Sequence, residues 1–259
     1  MKAGLVSLTL LGGLALPAIA QAGDWDLNRH WDITLGAGVY YGPTYEGADS
    51  LRPTPIPYFD FEWNDRFSLS SDDGLHFAFV NWKHLSFGLA GNLRLPRKPS
   101  DDSALHHLSR VGWAVEAGGY IDYNPPGFDI SLEARHDIAG GHGGTVVEFN
   151  ARGQLPIGKS AYVEFGPNLN WASKNYMQSY FGITPSQSAR SGFSVFRPGG
   201  GFKDVGFTVE GGYKINPYWR LLVEATYSRL LDTVVDSPLI REKGDPNQYS
   251  FSVVLAYHF

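Results

Sequence analysis

The 259-residue sequence contains no cysteine, only two methionines and few charged residues. Without cysteine the chain can form neither disulfide bonds nor thiolate metal sites, and it has no thiol nucleophile. With 18% charged residues and a formal net charge of −5, it also lacks the basic surface that nucleic acids require. Beyond residue 22 no stretch approaches about 18 consecutive apolar residues, so hydropathy predicts no transmembrane helix there.

The N-terminus has the organisation of an export signal. Lys2 precedes an apolar run over residues 5–16, and the small-residue segment "PAIAQA" then ends at Ala22. One positive charge, a short apolar segment and an A-x-A site are typical of a cleaved secretory signal. We therefore predict a signal peptide over residues 1–22 and a single mature domain over 23–259. The mature chain should begin at Gly23 or, with the overlapping site, at Gln21.

Alternation of apolar and polar residues is the dominant pattern of the mature chain. In the final segment every second residue is apolar or aromatic: Phe251, Val253, Leu255, Tyr257 and Phe259. Successive side chains of a strand point to opposite faces, so one face of this strand is apolar up to the last residue. The same pattern recurs and predicts twelve strands, at about residues 31–41, 55–62, 65–71, 74–81, 84–95, 109–123, 127–137, 145–155, 159–171, 202–214, 218–230 and 247–259.

The lengths of the connections distinguish a membrane barrel from a soluble sandwich. Turns after even-numbered strands are short, whereas most connections after odd-numbered strands are long: 42–54, 96–108, 138–144, 172–201 and 231–246. Outer-membrane barrels have an even strand number, short periplasmic turns and long extracellular loops. In hydrocarbon every backbone polar group must be paired, so the sheet must close. We predict an all-β, antiparallel, up-and-down transmembrane barrel of twelve strands.

Charged residues recur on the face that the alternation assigns to the lumen. They are Glu116, Glu133, Glu148, Glu164, Glu210, Glu224, Arg94, Arg135, Arg152 and Arg220. One interpretation is a structural set of ion pairs that fills a narrow lumen, because buried charges need partners. The other is a small cation-preferring pore, because rings of acidic side chains favour cations. The sequence leaves both open.

The longest loop carries a predicted helix and five aromatic residues. Thr184 stands as an N-cap, Pro185 at the first helical position, Gln187 at the capping-box position and Gly192 as the stop. The aromatic residues that flank this short helix are Tyr176, Tyr180, Phe181, Phe193 and Phe196. Either they fold the loop over the barrel mouth, or they form an exposed ligand patch.

Several motifs resemble a known family. They include "GAGVYYGPTYEGAD" (36–49), "PIPY" (55–58), "SYFGIT" (179–184) with the following "SG" (191–192), "GFKDVG" (201–206), "DSP" (236–238), "NQY" (247–249) and the closing "YHF". Their order and spacing resemble the MipA/OmpV family of Gram-negative outer-membrane proteins over nearly all of the mature chain. One departure is the stretch 232–235, where the family has a small, acidic Gly-Asp-Ala-Ala-like segment.

The resemblance implies a non-enzymatic scaffold in peptidoglycan synthesis, located in the outer membrane. Such a scaffold links a murein-cleaving lytic transglycosylase to a bifunctional penicillin-binding protein. The implied interaction residues are those of the most specific motifs: Ser179, Tyr180, Phe181, Gly182, Ser191, Gly192, Asp236, Ser237 and Pro238. Tyr257 and Phe259 resemble the assembly signal read by the outer-membrane insertion machinery, and lipid is the other expected partner.

Two other classes of function remain as alternatives. One is a narrow channel or a surface receptor or adhesin, and the other is a lipid-acting outer-membrane hydrolase. For the hydrolase, no serine is predicted to share a membrane depth with an inward histidine and an acidic residue. The single histidine of "GGHGG" (140–144) is typical of a flexible turn and not of a metal loop. We therefore predict no catalytic residue, no metal site and no cofactor.

Overall fold

The computed structural model describes residues 31–259, and the predicted signal peptide lies outside this range. The twelve strands are β1 (Trp31–Pro43), β2 (Leu51–Trp63), β3 (Phe67–Ser70), β4 (Gly74–Trp82), β5 (Leu85–Arg94), β6 (Ala114–Tyr123), β7 (Phe128–Asp137), β8 (Thr145–Ile157), β9 (Ala161–Ala172), β10 (Gly201–Lys214), β11 (Trp219–Leu230) and β12 (Asn247–His258). Each strand pairs with its sequence neighbours in antiparallel fashion.

The sheet closes between the first and last strands. β1 and β12 pair from Thr34↔His258 to Tyr41↔Phe251. The neighbour order around the barrel follows the chain order, so no connection crosses another. The predicted twelve-stranded up-and-down barrel is confirmed. Closure satisfies the backbone hydrogen bonds that an open sheet edge would leave unpaired in hydrocarbon.

The two faces of the wall differ in chemistry as the alternation predicts. On β1 the outward residues Leu35, Val39 and Tyr41 are exposed, whereas Thr34 on the opposite face is buried. Bulky aromatic side chains lie exposed at the short-turn end, where Trp31 and Trp63 approach with ring centroids 6.1 Å apart. Such aromatic residues are typical of the interfacial girdle of a membrane barrel. Among residues 31–259, no helix is long and apolar enough to span a membrane.

One section of the wall is much shorter than the rest. β3 has only four residues, and β4 pairs with β5 no further than Leu75↔Gly91. β2 pairs with β3 only over residues 60–63, although it pairs with β1 along its whole length. Above the β3–β4 turn, the facing edges of β2 and β5 therefore have no strand between them.

The long loops contain more helix than the sequence pattern predicts. The helices are α1 (Lys174–Phe181), α2 (Pro185–Ser191), α3 (Asp232–Val235) and α4 (Pro238–Lys243), with a 3₁₀ turn at Ser103–Leu105. Only α2 was predicted. β6 begins at Ala114 and not at 109, because Val111 turns into the core of the loops and is 3% exposed.

Candidate functional site

The segment between β9 and β10 covers the long-loop end of the barrel, and we call residues 173–200 the lid. Its helix α1 buries one face completely, since Tyr176, Met177 and Phe181 have no exposed surface. They share one apolar cluster with Tyr180 of the same helix and with residues from other loops and strand ends: Val111, Val146, Ala172, Leu230, Val234 and Ile240. Burial of each large side chain is worth roughly 1.5–3 kcal/mol. The mouth is thus closed by a core that several loops share.

The second half of the lid packs into a neighbouring cluster. Ile183 and Phe193 lie against residues of the first, second and last long loops: Tyr45, Ala48, Leu105, Leu108 and Leu239. Phe196 is partly buried against the same cluster. The lid aromatics therefore fold over the mouth, and the alternative of an exposed aromatic patch is wrong. In an exposed patch these rings would remain in contact with water, whereas packing at the mouth removes their apolar surface from water.

Helix α2 has the predicted N-terminus. Thr184 Oγ1 accepts the N–H of Gln187 at 3.3 Å, and Gln187 Oε1 accepts the N–H of Thr184 at 2.7 Å. Pro185 occupies the first turn, and Gly192 ends the helix with φ of 81°. Gln187 Nε2 also donates to Ser109 Oγ at 3.0 Å, which attaches the helix to the loop between β5 and β6. The capping box and its side-chain anchor together fix the outer half of the lid.

The end of α1 is held by two other loops. Arg97 donates to the carbonyl oxygens of Ser179, at 3.1 Å, and of Tyr180. Ser237 Oγ donates to the carbonyl oxygen of Phe181 at 2.7 Å. These carbonyl groups have no partner inside a helix that ends here, so the side chains satisfy them. The "SYFG" and "DSP" segments therefore contact each other.

The structure places the motif residues at different depths. Tyr180, Phe181, Gly182 and Ser237 are buried, Ser179, Ser191 and Pro238 are partly exposed, and Gly192 and Asp236 are exposed. A partner outside the barrel could reach the exposed residues, but the buried ones contact the protein itself. Tyr257 and Phe259 lie at the opposite end, with ring centroids 4.9 Å apart.

Beneath the lid, one carboxylate is surrounded by positive groups. Glu116, 1% exposed, receives Arg94 Nε at 2.8 Å and Arg135 Nε at 3.2 Å, and His142 Nε2 lies 2.8 Å away. Arg135 also bonds Glu133 and, at 2.5 Å, Glu148. The segment "GGHGG" does turn the chain, with Gly140 and Gly143 at positive φ, and the ring of His142 is buried against Glu116. A cluster of this kind is stable only while each charge keeps its partners.

A second ion pair ties the lid to the wall. Lys203 binds Glu46 of the first long loop and Asp204, at 2.7 Å, while Tyr176 Oη donates to Glu46 at 3.0 Å. The guanidinium of Arg94 lies 5.4 Å from the ring centre of Tyr176. Tyr176 therefore contacts both the Glu116 cluster, through Arg94, and the Lys203–Glu46 pair, through its hydroxyl group. Burial alone would raise the pKa of Glu46, but Lys203 lowers it, and the net pKa lies below the ordinary value of 4.5. Glu46 is thus held as an anion.

Sequence reasoning missed Glu46, Lys203 and His142. Lys203 is separated by an even number of residues from the lipid-facing side chains of β10, so strict alternation would place its charge in lipid. That conflict could have indicated an irregularity in the strand. The register shifts between Phe202 and Asp204, so both Lys203 and Asp204 are buried. A β-bulge of this kind re-aims a side chain without ending the strand. Glu46 and His142 lie in loops, whose folding no periodicity predicts.

Further toward the turn end, the lumen is acidic. Glu210 lies directly opposite Glu164 on β9 and Glu224 on β11, so three carboxyl side chains stand side by side. Arg152 approaches Glu210 at 3.6 Å, and Tyr162 Oη donates to Glu210 at 3.0 Å. A cavity of about 20 Å³ lies beside Glu210, Glu224 and Asp72. Gln154 Nε2 donates to Glu164 at 2.8 Å. Like charges directly opposite each other on paired strands are unfavourable, and we call these three residues the glutamate row.

A hydroxyl, an imidazole and a carboxylate lie together near the turn end of the barrel. Asp32, Thr34 and His258 come together, but Thr34 Oγ1 and Asp32 Oδ1 both approach Nδ1 of His258, at 3.2 and 3.1 Å. A nucleophile–base–acid relay needs the two partners on opposite nitrogens of the ring. Residues 31–259 also contain no cluster of three acidic or histidine side chains that could hold a metal ion.

Comparison with known proteins agrees with this architecture. The family described as MltA-interacting protein MipA matches residues 35–259. The chain belongs to the MipA family. The MltA-interacting protein of Escherichia coli strain K12 is 31% identical over 240 residues, which cover 90% of this chain and 94% of the relative.

Two outer-membrane proteins from vibrios match a shorter part. Omp26La of Vibrio anguillarum is 27% identical over 131 residues, covering 50% of this chain and 48% of the relative. OmpV of Vibrio cholerae is 26% identical over 131 residues, which again cover 50% of this chain and 48% of the relative. This MipA-family protein is therefore an outer-membrane β-barrel, and the predicted resemblance and location are confirmed.

Proposed function

We propose that this MipA-family barrel is a non-enzymatic scaffold that anchors a periplasmic murein transglycosylase to the outer membrane. The observation that carries the proposal is the closed mouth, in which two apolar clusters join the long loops and ion pairs of Glu46 and His142 attach two of these loops to the wall. Such a construction fits a rigid anchor better than an open porin. The relative named MltA-interacting protein, which aligns with 90% of this chain, supports the same role.

The binding surface for such a partner should lie at the short-turn end. Outer-membrane barrels direct their short turns to the periplasm, and murein enzymes are on that side. Exposed apolar side chains at this end include Ile215 and Tyr218 in the β10–β11 turn, exposed by 51% and 56%. By contrast, the "SYFG" segment of the lid and the "DSP" segment that contacts it lie at the other end, so we assign both to the closure of the mouth.

An affinity experiment in mild detergent tests this proposal. The full-length protein should retain a purified lytic transglycosylase, and Ile215→Asp should weaken the retention at least about tenfold, which corresponds to about 1.4 kcal/mol. Val195→Asp is the matched control, because Val195 is an aliphatic residue exposed by 47% at the lid end. Failure of the wild type to retain the enzyme, or equal loss with both variants, would contradict the scaffold.

The glutamate row favours a second candidate, a gated path for small cations. Glu164, Glu210 and Glu224 give the lower lumen the acidic lining that attracts cations. In this case the lid would be the gate, and conductance would require its displacement. Single-channel recordings separate the two candidates, because a scaffold needs no conducting state.

A further inference from the structure

The interrupted section of the wall contains a cavity that opens toward lipid. We call it the notch, and it has a volume of about 500 Å³. Ordinary small-molecule sites occupy about 300–1,000 Å³. Its margins are β2 on one side, β5 on the other and the β3–β4 turn, where Ser71 N–H donates to the Phe59 carbonyl at 2.9 Å.

The notch passes from the outer face of the wall toward the lumen. Its lining includes lipid-facing side chains, among them Leu75, Leu93 and Val115. It also includes residues of the inner face, such as Ile56 and Asn92. Glu116 lines the cavity as well, and its carboxylate is engaged by Arg94, Arg135 and His142. The surface is mostly hydrocarbon, and charged groups close it on the inner side.

The edge of β2 that faces the notch lacks hydrogen-bond donors. Phe59 directs both its N–H and its carbonyl group toward Ser71, on the side of β3. Residues two apart on an antiparallel strand direct these groups to the same side. The main-chain groups of positions 57, 55 and 53 therefore point toward the notch. All three residues are proline, which has no N–H. The prolines of "RPTPIPY" remove the donors that this edge would leave unpaired in hydrocarbon.

This edge also limits what can occupy the notch. A β-strand, whether from a second copy or another protein, would need N–H donors from β2 to pair with it. A hydrocarbon chain needs none, and within the bilayer it would fill the notch with van der Waals contacts to the apolar lining. We propose that the notch binds an acyl chain of a membrane lipid, inserted from the leaflet that contains the long-loop half of the barrel. This inference is independent of the scaffold role.

Photo-labelling of the reconstituted full-length protein tests the proposal. The probe is phosphatidylglycerol that carries a diazirine near the end of one acyl chain, in phosphatidylglycerol vesicles, and peptide mass spectrometry maps the labels. A chain in the notch should label the inward residues Ile56 and Asn92. Inward residues of the continuous wall, such as Asn150 and Asn168, should remain unlabelled. Absence of label from both Ile56 and Asn92 in the wild type would overturn the proposal.

A matched pair of glycine variants completes the test. A β-carbon at Gly91, which lines the notch, would meet ordinary contacts, 3.6 Å from the Glu116 carbonyl oxygen and 3.7 Å from Leu75 Cβ. Gly91→Phe should fill the notch and reduce the inward labels at least about fivefold. Gly153→Phe places the same ring on the continuous wall, where the nearest contact is 3.7 Å from Phe165. Equal labelling of Ile56 and Asn92 in both variants would contradict the proposal, and the wild-type map tests it even if Gly91→Phe does not fold.

Discussion

The two ends of the lumen hold buried glutamates in opposite ways. Under the lid, Glu116 lies between two arginines and a histidine. Toward the turn end, Glu164 and Glu224 flank Glu210, and Arg152 approaches at 3.6 Å. Glu116 and Glu210 are each 1% exposed, so burial does not distinguish them. Under the lid, cations surround a single carboxylate, whereas in the lower lumen three carboxyl groups stand side by side with one arginine near them.

The largest expected effect is on stability, from one substitution at each end. Glu116→Gln leaves Arg94 and Arg135 buried without their shared carboxylate, so the free energy of unfolding should fall by about 3–5 kcal/mol. Glu164→Gln removes one of two opposed carboxyl groups, and the free energy should stay constant or rise. Urea unfolding in lipid vesicles measures both. Equal losses would break the contrast between the two ends.

Replacing the lid tests whether it is the element that closes the barrel. Exchange of residues 179–192 for a short Gly/Ser linker removes the buried Tyr180, Phe181 and Ile183. Conductance in planar bilayers should rise, while the barrel remains heat-modifiable on gels because its strand pairing is unchanged. In the opened protein, Glu210→Gln should reduce the preference for cations. A wild type that already conducts like an open porin would show that the lid closes nothing.

Acid should loosen the lid through Glu46. Because the folded-state pKa of Glu46 is below its ordinary value of 4.5, its stabilisation is fully present above that pH. It is lost as the pH falls through the lower folded-state pKa. Protease cleavage in residues 173–200 should therefore increase at acid pH in the wild type, and Glu46→Gln should show much of this increase already at neutral pH. Glu242→Gln, at an exposed position on α4, is the control.

A smaller effect is expected where the two motif loops meet. Ser237→Ala leaves the buried carbonyl group of Phe181 without its donor, at a cost of about 1–3 kcal/mol. The same protease assay should show faster cleavage of the lid. Ser194→Ala changes an exposed serine of the lid and should have no effect. If both variants behave as the wild type does, the "DSP" segment does not stabilise the lid.

The smallest effect on folded stability is expected at the turn end. Phe259 is 55% exposed, and its main-chain N–H donates to the Ile33 carbonyl oxygen at 3.0 Å. Deletion of Phe259 should slow assembly and leave more heat-sensitive, protease-accessible protein in the periplasm, with little change in the unfolding of assembled barrels. Pulse-chase assembly with gel mobility measures this. An unchanged rate of assembly would show that the final aromatic residue is not part of the assembly signal.

The sequence predicted the strands well because their side chains alternate with a period of two between lipid and lumen. The predicted ninth strand, 159–171, and twelfth strand, 247–259, differ by one or two residues from Ala161–Ala172 and Asn247–His258. The predicted strand boundaries were wrong where an apolar residue packs against other loops and not against lipid. Val111 was assigned to a strand, but it packs under the lid.

The two helices of the lid differ in how far the local sequence predicts them. α2 was predictable because Thr184, Pro185, Gln187 and Gly192 encode both of its ends locally. α1 has no side-chain cap, and its stability comes from Tyr176, Met177 and Phe181 packing on other loops. Contacts between segments far apart in the chain leave no local pattern to read.

The sequence by itself determined the membrane barrel, its strand number and the inward position of its charges, since each follows from a two-residue period and the lengths of the connections. Only the tertiary structure decided which charges pair, how the mouth closes and where the wall is interrupted. Pairing of Lys203 with Glu46 depends on a bulge and a folded loop. The notch exists because β3 has only four residues, whereas its neighbour β2 has thirteen. This difference in length leaves a gap in the wall only when the two strands lie side by side.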